Sequence, residues 1–275
     1  MSAPKTLLDA QALAEGLPKL ILAAERLAFV AAPGLHGRRR AGPGDAFWQF
    51  RDFRDGDDAR RIDWRRSARG DRLYVKEREW EAQASLSLQL QDTPSLAFSS
   101  DKTLPTKRDR AALLLLALSA ILLRTGERVS LYGRTTPLSG SRALPTIAAA
   151  LIGGYGTAAE ADPDQKSRRV VFGDFLVPNP GFARQPGGAV MQILDPAECD
   201  FPYRGRILFE GFSREPELEA AHAESWAETY RARLAAQRES VARAAMAAGQ
   251  TPLFHRTDHP PAQALAALYN ALLHR

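Results

Sequence analysis

The sequence has few of the features that are typical of secreted and membrane proteins. One cysteine, Cys199, stands among 275 residues, which excludes an internal disulfide and fits a reducing compartment. The uncharged, Leu-rich run at residues 111–123 would as a helix span roughly 20 Å, short of the roughly 30 Å core of a bilayer. Charged residues from Asp9 to Arg26 interrupt any signal-peptide core. We therefore expect a cytoplasmic protein that does not enter a membrane.

The sequence also lacks the motifs of common catalytic sites. It has no Gly-x-x-x-x-Gly-Lys-Ser/Thr phosphate-binding loop, so we do not expect the chain itself to be an ATPase. It has no Gly-x-Ser-x-Gly turn to present a nucleophilic serine. His255 and His259 have no third ligand nearby in sequence, so zinc is not expected. We predict a protein without enzymatic activity.

What is present is typical of a folded α/β protein, with 45% hydrophobic and 25% charged residues. Strand-like segments alternate with helix-like ones: strands at 85–91, 128–132, 169–172, 189–194, 206–209 and 251–254, and helices at 106–124, 144–152, 217–248 and 262–273. This alternation predicts a mostly parallel sheet with helices on both faces. Residues 6–32 are rich in Ala and Leu and predict two N-terminal helices with a break at residues 16–18.

Residues 36–82 are dense in charges of both signs. Between Arg38 and Arg72 lie eleven arginines and seven aspartates, a local net charge of +4. Arginines interleaved with aromatic residues such as Trp48 and Phe50 could bind nucleic acid by contacting phosphates and stacking on bases. However, an aspartate lies close in sequence to nearly every arginine. We therefore favour a folded network of Arg–carboxylate pairs, with nucleic-acid binding through residues 38–72 as the alternative.

Ordered elements in this segment resemble the signature of a known family. They are Gly42-Pro43-Gly44-Asp45, Arg51-Asp52-Phe53-Arg54-Asp55-Gly56-Asp57-Asp58, Ile62-Asp63-Trp64, Ser67-Ala68-Arg69 and Leu73-Tyr74-Val75-Lys76-Glu77. On these elements the chain resembles the domain of unknown function 58 family, and a weaker likeness covers most of the remaining chain. The resemblance implies a von Willebrand factor A-like, Rossmann-like domain with an N-terminal charged, partly β extension. It also implies association with MoxR-type AAA+ ATPases.

The resemblance divides the chain into an N-terminal helical segment (1–35), an Arg/Asp-rich signature segment (36–82) and a von Willebrand factor A-like domain (83–275). The function we expect is protein–protein interaction, as an adaptor or partner of a MoxR-type AAA+ ATPase that also contacts a client protein. The residues expected to matter in the signature segment are Arg51, Asp57, Asp58, Arg60, Asp63, Trp64 and Arg69. Two roles stay open for them: a structural network or direct contact with a partner.

Domains of the implied fold often hold Mg²⁺ after the first strand, through Asp-x-Ser-x-Ser and a remote Thr and Asp. Such a site needs hard oxygen ligands in near-octahedral geometry. The matching stretch here is Asp92-Thr93-Pro94-Ser95-Leu96, in which Pro94 and Leu96 take both hydroxyl positions. Ser95 is one residue out of step, so its side chain is expected to point elsewhere. The candidate ligands are Asp92, Ser95, Thr157 and Asp174, and we predict a degenerate site without a physiological metal or other cofactor.

Overall fold

A computed structural model describes residues 7–31, 47–54, 58, 62–70, 72–78, 85–133, 136–153, 168–176, 181–212 and 216–273. The helices are α1 (Leu7–Ala31), α2 (Trp64–Ser67), α3 (Lys107–Arg124), α4 (Leu144–Ile152), α5 (Pro196–Asp200), α6 (Ala227–Ala247) and α7 (Pro261–Leu273). The strands are β1 (Phe47–Asp52), β2 (Tyr74–Arg78), β3 (Ser85–Leu90), β4 (Arg128–Leu131), β5 (Arg168–Gly173), β6 (Gly188–Leu194), β7 (Ile207–Phe209), β8 (Leu218–Ala220) and β9 (Gln250–Arg256). The chain forms two units: residues 1–38 with 85–275, and residues 39–84.

The larger unit is built on a five-stranded parallel sheet in the order β4-β3-β5-β6-β9. The chain enters at β3, crosses through α3 to β4 on one side, and then returns to β5 on the other side of β3. The predicted mixed α/β fold with a mostly parallel sheet flanked by helices is therefore confirmed. The sequence explains the interior position of β5 and β6, since β6 and the second half of β5 are mostly apolar, as strands buried on both faces are.

Side chains alternate between the two faces of the sheet, and each face has its own helices. One face carries Leu88, Phe172 and Met191 into a core shared with α1, α3, α4 and α7. The opposite face carries Val171 and Val190 against α6. Because successive residues of a strand point to opposite faces, a single sequence such as that of β5 supplies both cores. Helices therefore cover both faces, as the alternating pattern predicted.

The N-terminal segment forms one helix, where the sequence predicted two. α1 runs through Pro18 without ending. A proline inside a helix removes a backbone hydrogen bond and costs about 3 kcal/mol. The buried residues Ala24, Ala28 and Ala31 offset that cost by packing on the apolar core. The prediction of a break was wrong because it considered local preference without this packing, and the helix belongs to the same unit as the sheet.

Two other segments differ from the predicted elements. The strand predicted at 206–209 forms as β7, but it pairs with β8 in an antiparallel ribbon outside the parallel sheet. The helix predicted over 217–248 begins only at Ala227, because Leu218–Ala220 is β8. Pairing of Leu218 with Phe209 and an ion pair between Glu219 and Arg206 hold these residues in the ribbon. Tertiary pairing thus overrides the helical preference of an Ala/Glu-rich stretch.

The smaller unit contains the antiparallel ribbon of β1 and β2, with a register shift near Phe47. Val75 is fully buried, and Ile62 forms a bridge to it. The short helix α2 begins after Asp63, whose side chain accepts a hydrogen bond from the backbone N–H of Arg66 at 3.0 Å. The signature segment thus contains strands, and one of its aspartates caps a helix.

Among the described residues, no helix combines the length and the apolar character needed to cross a membrane. α3 is the most buried helix, and its central residues are mostly below a tenth exposed. Its long uncharged run is accounted for by contact with the sheet on one side and with α1 on the other. This agrees with the prediction that residues 111–123 form a buried helix.

Candidate functional site

The candidate site lies at the topological switch point of the parallel sheet, between β3 and β5, where successive connections run to opposite sides. The chain leaves β3 toward β4 on one side and later reaches β5 on the other, so the loops after β3 and β5 separate at the carboxyl edge. Open α/β sheets bind ligands in such a crevice. The loop after β3 carries Asp92, Thr93 and Ser95, and the loop after β5 carries Asp174. The order of the strands therefore brings these side chains to one edge.

A buried lysine lies at the centre of this edge. Lys107 is the first residue of α3, and its side chain is fully buried. Its Nζ donates to Asp174 Oδ2 at 3.0 Å and to Glu198 Oε1 at 2.5 Å. Asp174 is 1% exposed, and Glu198 is also largely buried. A cation at a helix N-terminus is opposed by the helix dipole, so the two carboxylates offset both that cost and the loss of water.

The carboxylate of Asp174 is fixed by hydroxyl groups from the loop after β3. Ser95 Oγ donates to Asp174 Oδ2 at 2.6 Å, and Thr93 Oγ1 lies 3.5 Å from Asp174 Oδ1. Ser95 Oγ is also 3.2 Å from Thr93 Oγ1. From the next strand, Gln192 Nε2 donates to the backbone oxygen of Asp174 at 2.9 Å. The carboxylate is therefore oriented before any ligand arrives, which a binding site requires.

Glu198 is fixed by the cap of a short helix. Asp195 and Glu198 form a capping box at the start of α5: Ala197 N donates to Asp195 Oδ1, and Asp195 N donates to Glu198 Oε2, both at 2.8 Å. Burial raises the pKa of the Glu198 carboxyl, while the ammonium of Lys107 acts to lower it. The ammonium of Lys107 thus pairs with two carboxylates that are largely shielded from water.

The ends of β3 and β5 pack closely next to the site. Gly173 ends β5, and a Cβ there would overlap the side chain of Gln91. Gln91 Oε1 accepts a hydrogen bond from Phe175 N at 3.3 Å. Phe175 has a positive φ of 50°, and its carbonyl accepts from Gln237 Nε2 at 2.6 Å. The glycine is therefore required here by contact with Gln91 and not by its own backbone conformation.

The predicted metal ligands are brought together only in part. Ser95 and Asp174 are hydrogen-bonded, so the expectation that Ser95 would point elsewhere was wrong: the 3₁₀ turn Pro94–Ala97 rotates it toward Asp174. Asp92 Oδ1 accepts from Arg108 Nη2 at 2.9 Å at the edge of the site. Thr157 lies outside the described residues.

The residues present do not fit a divalent cation. The two carboxylates nearest the centre of the site, Asp174 and Glu198, both face the ammonium of Lys107. A protonated amine has no lone pair and excludes a second cation from the same oxygens. In the part of the chain that the structure describes, no group of three or more His, Cys, Asp or Glu residues is arranged to hold a metal ion.

The residues predicted to matter in the signature segment lie in several elements of the smaller unit where they are described. Asp63 caps α2, and Trp64 is the first residue of that helix with 63% exposure. Asp58 and Arg69 are exposed. Arg51 lies in β1 opposite Val75. The other two members of the predicted cluster, Asp57 and Arg60, lie outside the described residues.

An exposed apolar surface lies beside the buried lysine. Phe98 places its ring 5.8 Å from Lys107 Nζ, and Phe212 packs edge-on against that ring at 5.8 Å. Phe212 is 48% exposed, and the ribbon residues Leu208 and Leu218 are exposed by more than half. We call Phe212 and the Phe98 ring against which it packs the ribbon surface. Exposed apolar residues next to a polar site are typical of protein interaction surfaces.

Sequence reasoning missed two central residues of the site, Lys107 and Glu198. A signal for Glu198 was present, because Asp195-Pro196-Ala197-Glu198 has the spacing of a capping box with proline in the first turn. No comparable pattern marks Lys107. A lysine at the start of a helix is normally exposed to solvent, and only the sheet order places this one between two strand-end loops.

Fold and site together define an α/β protein with a switch-point site closed by an internal ion-pair cluster. The family model described as protein of unknown function DUF58 matches residues 49–240, more than half of the chain. The chain therefore belongs to the DUF58 family, as its signature segment predicted. No curated protein and no solved structure matches the chain.

Proposed function

We propose that this chain is a cytoplasmic, non-enzymatic adaptor that binds a MoxR-type AAA+ ATPase and a client protein during protein maturation or complex assembly. Membership of the DUF58 family supports the proposal through the association that the family resemblance implies. We also propose that the larger unit is von Willebrand factor A-like. The five-stranded parallel sheet with helices on both faces supports this finer assignment.

One observation carries the proposal of a recognition site at the carboxyl edge of the sheet. Ser95 Oγ donates to Asp174 Oδ2 at 2.6 Å, which joins the loop after β3 to the loop after β5. In the fold that the resemblance implies, the corresponding edge is the one that meets a partner. The joined loops form a rigid polar platform, and the ribbon surface beside it supplies exposed apolar area.

The test is binding between the purified chain and the purified MoxR-type ATPase from the same genome, measured by biolayer interferometry with ATP or ADP present. Phe212→Ser removes the exposed aromatic residue of the ribbon surface. The matched control is Phe29→Ser on α1, where the phenylalanine is 72% exposed. We expect Phe212→Ser to weaken binding about 30-fold, the usual loss for an aromatic hot spot, and Phe29→Ser to leave it unchanged.

Absence of binding to the ATPase in every nucleotide state would refute the adaptor proposal. Equal losses in both variants would refute the ribbon surface as the contact. The variants are compared only after circular dichroism shows that each is folded like the wild type.

The alternative, nucleic-acid binding through residues 38–72, makes a different prediction. If that segment engages several phosphates, affinity falls by about 10³-fold or more as salt rises from roughly 50 to 200 mM. Within the smaller unit, Arg72 NH1 contacts Asp52 Oδ2 at 3.3 Å and Asp63 caps a helix, which supports structural use of the charges. A salt-sensitive gel shift would favour nucleic acid over this interpretation.

A further inference from the structure

We infer that Lys107 permanently occupies the cation position of the switch-point site, so that the site is complete without a metal and a divalent cation can enter only when the ammonium is removed. The inference does not depend on the proposed adaptor role, because it concerns only side chains within the larger unit.

The position of Nζ is the first argument. It lies within hydrogen-bond distance of a carboxylate oxygen from the loop after β5 and of one from α5. These distances, 3.0 Å to Asp174 Oδ2 and 2.5 Å to Glu198 Oε1, exceed the roughly 2.0–2.1 Å that Mg²⁺ demands by about 0.4–1.0 Å. An ammonium is satisfied by this spacing, whereas Mg²⁺ would require the oxygens to move inward.

The way the carboxylates are held is the second argument. Asp174 is oriented by Ser95, and Glu198 is oriented by the backbone N–H of Asp195. Both orienting groups are independent of Lys107, so we expect the two oxygens to keep their directions when its side chain is removed. The site is therefore a preformed pair of carboxylate oxygens around a covalently attached cation.

The burial of Lys107 is the third argument. Its side chain has no exposed surface, and Phe98 covers the ammonium on one side. A metal ion with an open coordination position can accept a carboxylate from a partner, but this ammonium is closed off from the surface. We therefore expect recognition at this edge to use the surrounding loops, with the cation acting only to hold them together.

The experiment compares the wild type, Lys107→Ala, and Lys107→Ala/Asp174→Asn as the matched control. Binding of Mn²⁺ is measured by electron paramagnetic resonance, and Tm is measured in Ca²⁺, Mg²⁺ or a chelator. We expect no Mn²⁺ at this site in the wild type, and a Tm that is unchanged by the chelator. Lys107→Ala should bind Mn²⁺ or Ca²⁺ with a Kd of about 10⁻⁴–10⁻³ M, the range of weak oxygen-ligand sites, and gain Tm from the cation. The double variant should lose both effects.

A folded Lys107→Ala chain that binds none of these cations would overturn the inference. If Lys107→Ala folds only when Ca²⁺ is present, the inference is supported. If it folds under no condition, the wild type and Asp174→Asn decide: Mn²⁺ bound by the wild type and lost in Asp174→Asn overturns the inference. Equal Mn²⁺ binding in those two proteins supports it, because the ion then lies elsewhere.

Discussion

Two ion-pair sites in this protein use the same kinds of charge in opposite surroundings. In the larger unit, Lys107 contacts Asp174 and Glu198 with almost no exposure to water. In the smaller unit, Arg72 contacts Asp52 while their side chains are 73% and 55% exposed. The exposed pair can exchange its partner for water at little cost, whereas the buried group cannot. Loss of one partner should therefore cost far more stability in the buried group than in the exposed pair, although the contact distances are similar.

Removal of the Lys107 ammonium from the buried group should cause the largest loss of stability. Lys107→Met keeps the length of the side chain but leaves two buried carboxylates without a cation. We expect the free energy of unfolding to fall by about 3–5 kcal/mol, as measured by urea denaturation at neutral pH. The triple variant Lys107→Met/Asp174→Asn/Glu198→Gln removes all the charges and should recover most of the loss. If the triple variant is no more stable than the single one, lost packing and not unpaired charge explains the result.

His255 extends the comparison to a buried group without a charged partner. It is 4% exposed, and its Nε2 has no hydrogen-bond partner among the described residues. Burial, together with the nearby Arg110 guanidinium, lowers the pKa of His255 from 6.5 to about 4. Between these values the unfolded chain binds a proton that the folded chain does not. The stability from neutral His255 is therefore fully present above pH 6.5 and is lost as pH falls toward 4.

The expected size of the His255 effect is at most about 3 kcal/mol between pH 7 and pH 4. It is measured as the difference in unfolding free energy between the wild type and His255→Gln at each pH, so that other titrating groups cancel. The wild type should lose stability faster than the variant as the solution is acidified. Parallel profiles for the two proteins would mean that His255 is protonated in the folded state.

Gly173 tests the packing at the end of β5, next to Asp174. In Gly173→Ala the new methyl group would displace Gln91, whose side chain accepts from Phe175 N. We expect a loss of about 1–2 kcal/mol in thermal or urea unfolding, a typical cost of overpacking with relaxation of one flexible side chain. Gly181→Ala is the control, since a Cβ there meets no atom within 4 Å. Equal losses in the two variants would mean that contact with Gln91 is not the cause.

The exposed pair should give the smallest effect. Arg72→Ala removes the contact with Asp52, and we expect a loss of stability below about 1 kcal/mol that shrinks further in high salt. Urea denaturation at low and high salt provides the measurement. A loss as large as that of Lys107→Met would mean that Arg72 belongs to a tighter network than its exposure indicates.

The sheet and most of its helices could be predicted because their signals are local. The alternation of polar and apolar residues in the Ser85–Leu90 strand can be recognised from that strand alone, and the uncharged run of α3 from that helix alone. The ribbon of β7 and β8 could not be predicted in this way, because it depends on pairing between Phe209 and Leu218. The composition of either strand alone does not indicate which strand it pairs with.

The site was predictable only at the level of its loops. Asp174 could be placed because it follows a buried strand, and carboxyl ends of parallel strands meet at one edge. Lys107 could not be placed, because its role depends on contacts with Asp174, which is 67 residues away in the sequence, and with Glu198, which is 91 residues away. Long-range convergence of this kind is fixed by topology, which the pattern of a single element does not contain.

The packing of α1 has a consequence for the order in which the protein can be completed during synthesis. α1 ends at residue 31, but one of the helices it packs against, α7, ends at residue 273. At about 5–20 residues per second, a ribosome needs roughly 10–50 s to make the intervening chain. Over that time the buried alanine stripe of α1 can meet α3, but its contact with α7 has to wait. α1 therefore reaches its final position only after α7 has been made.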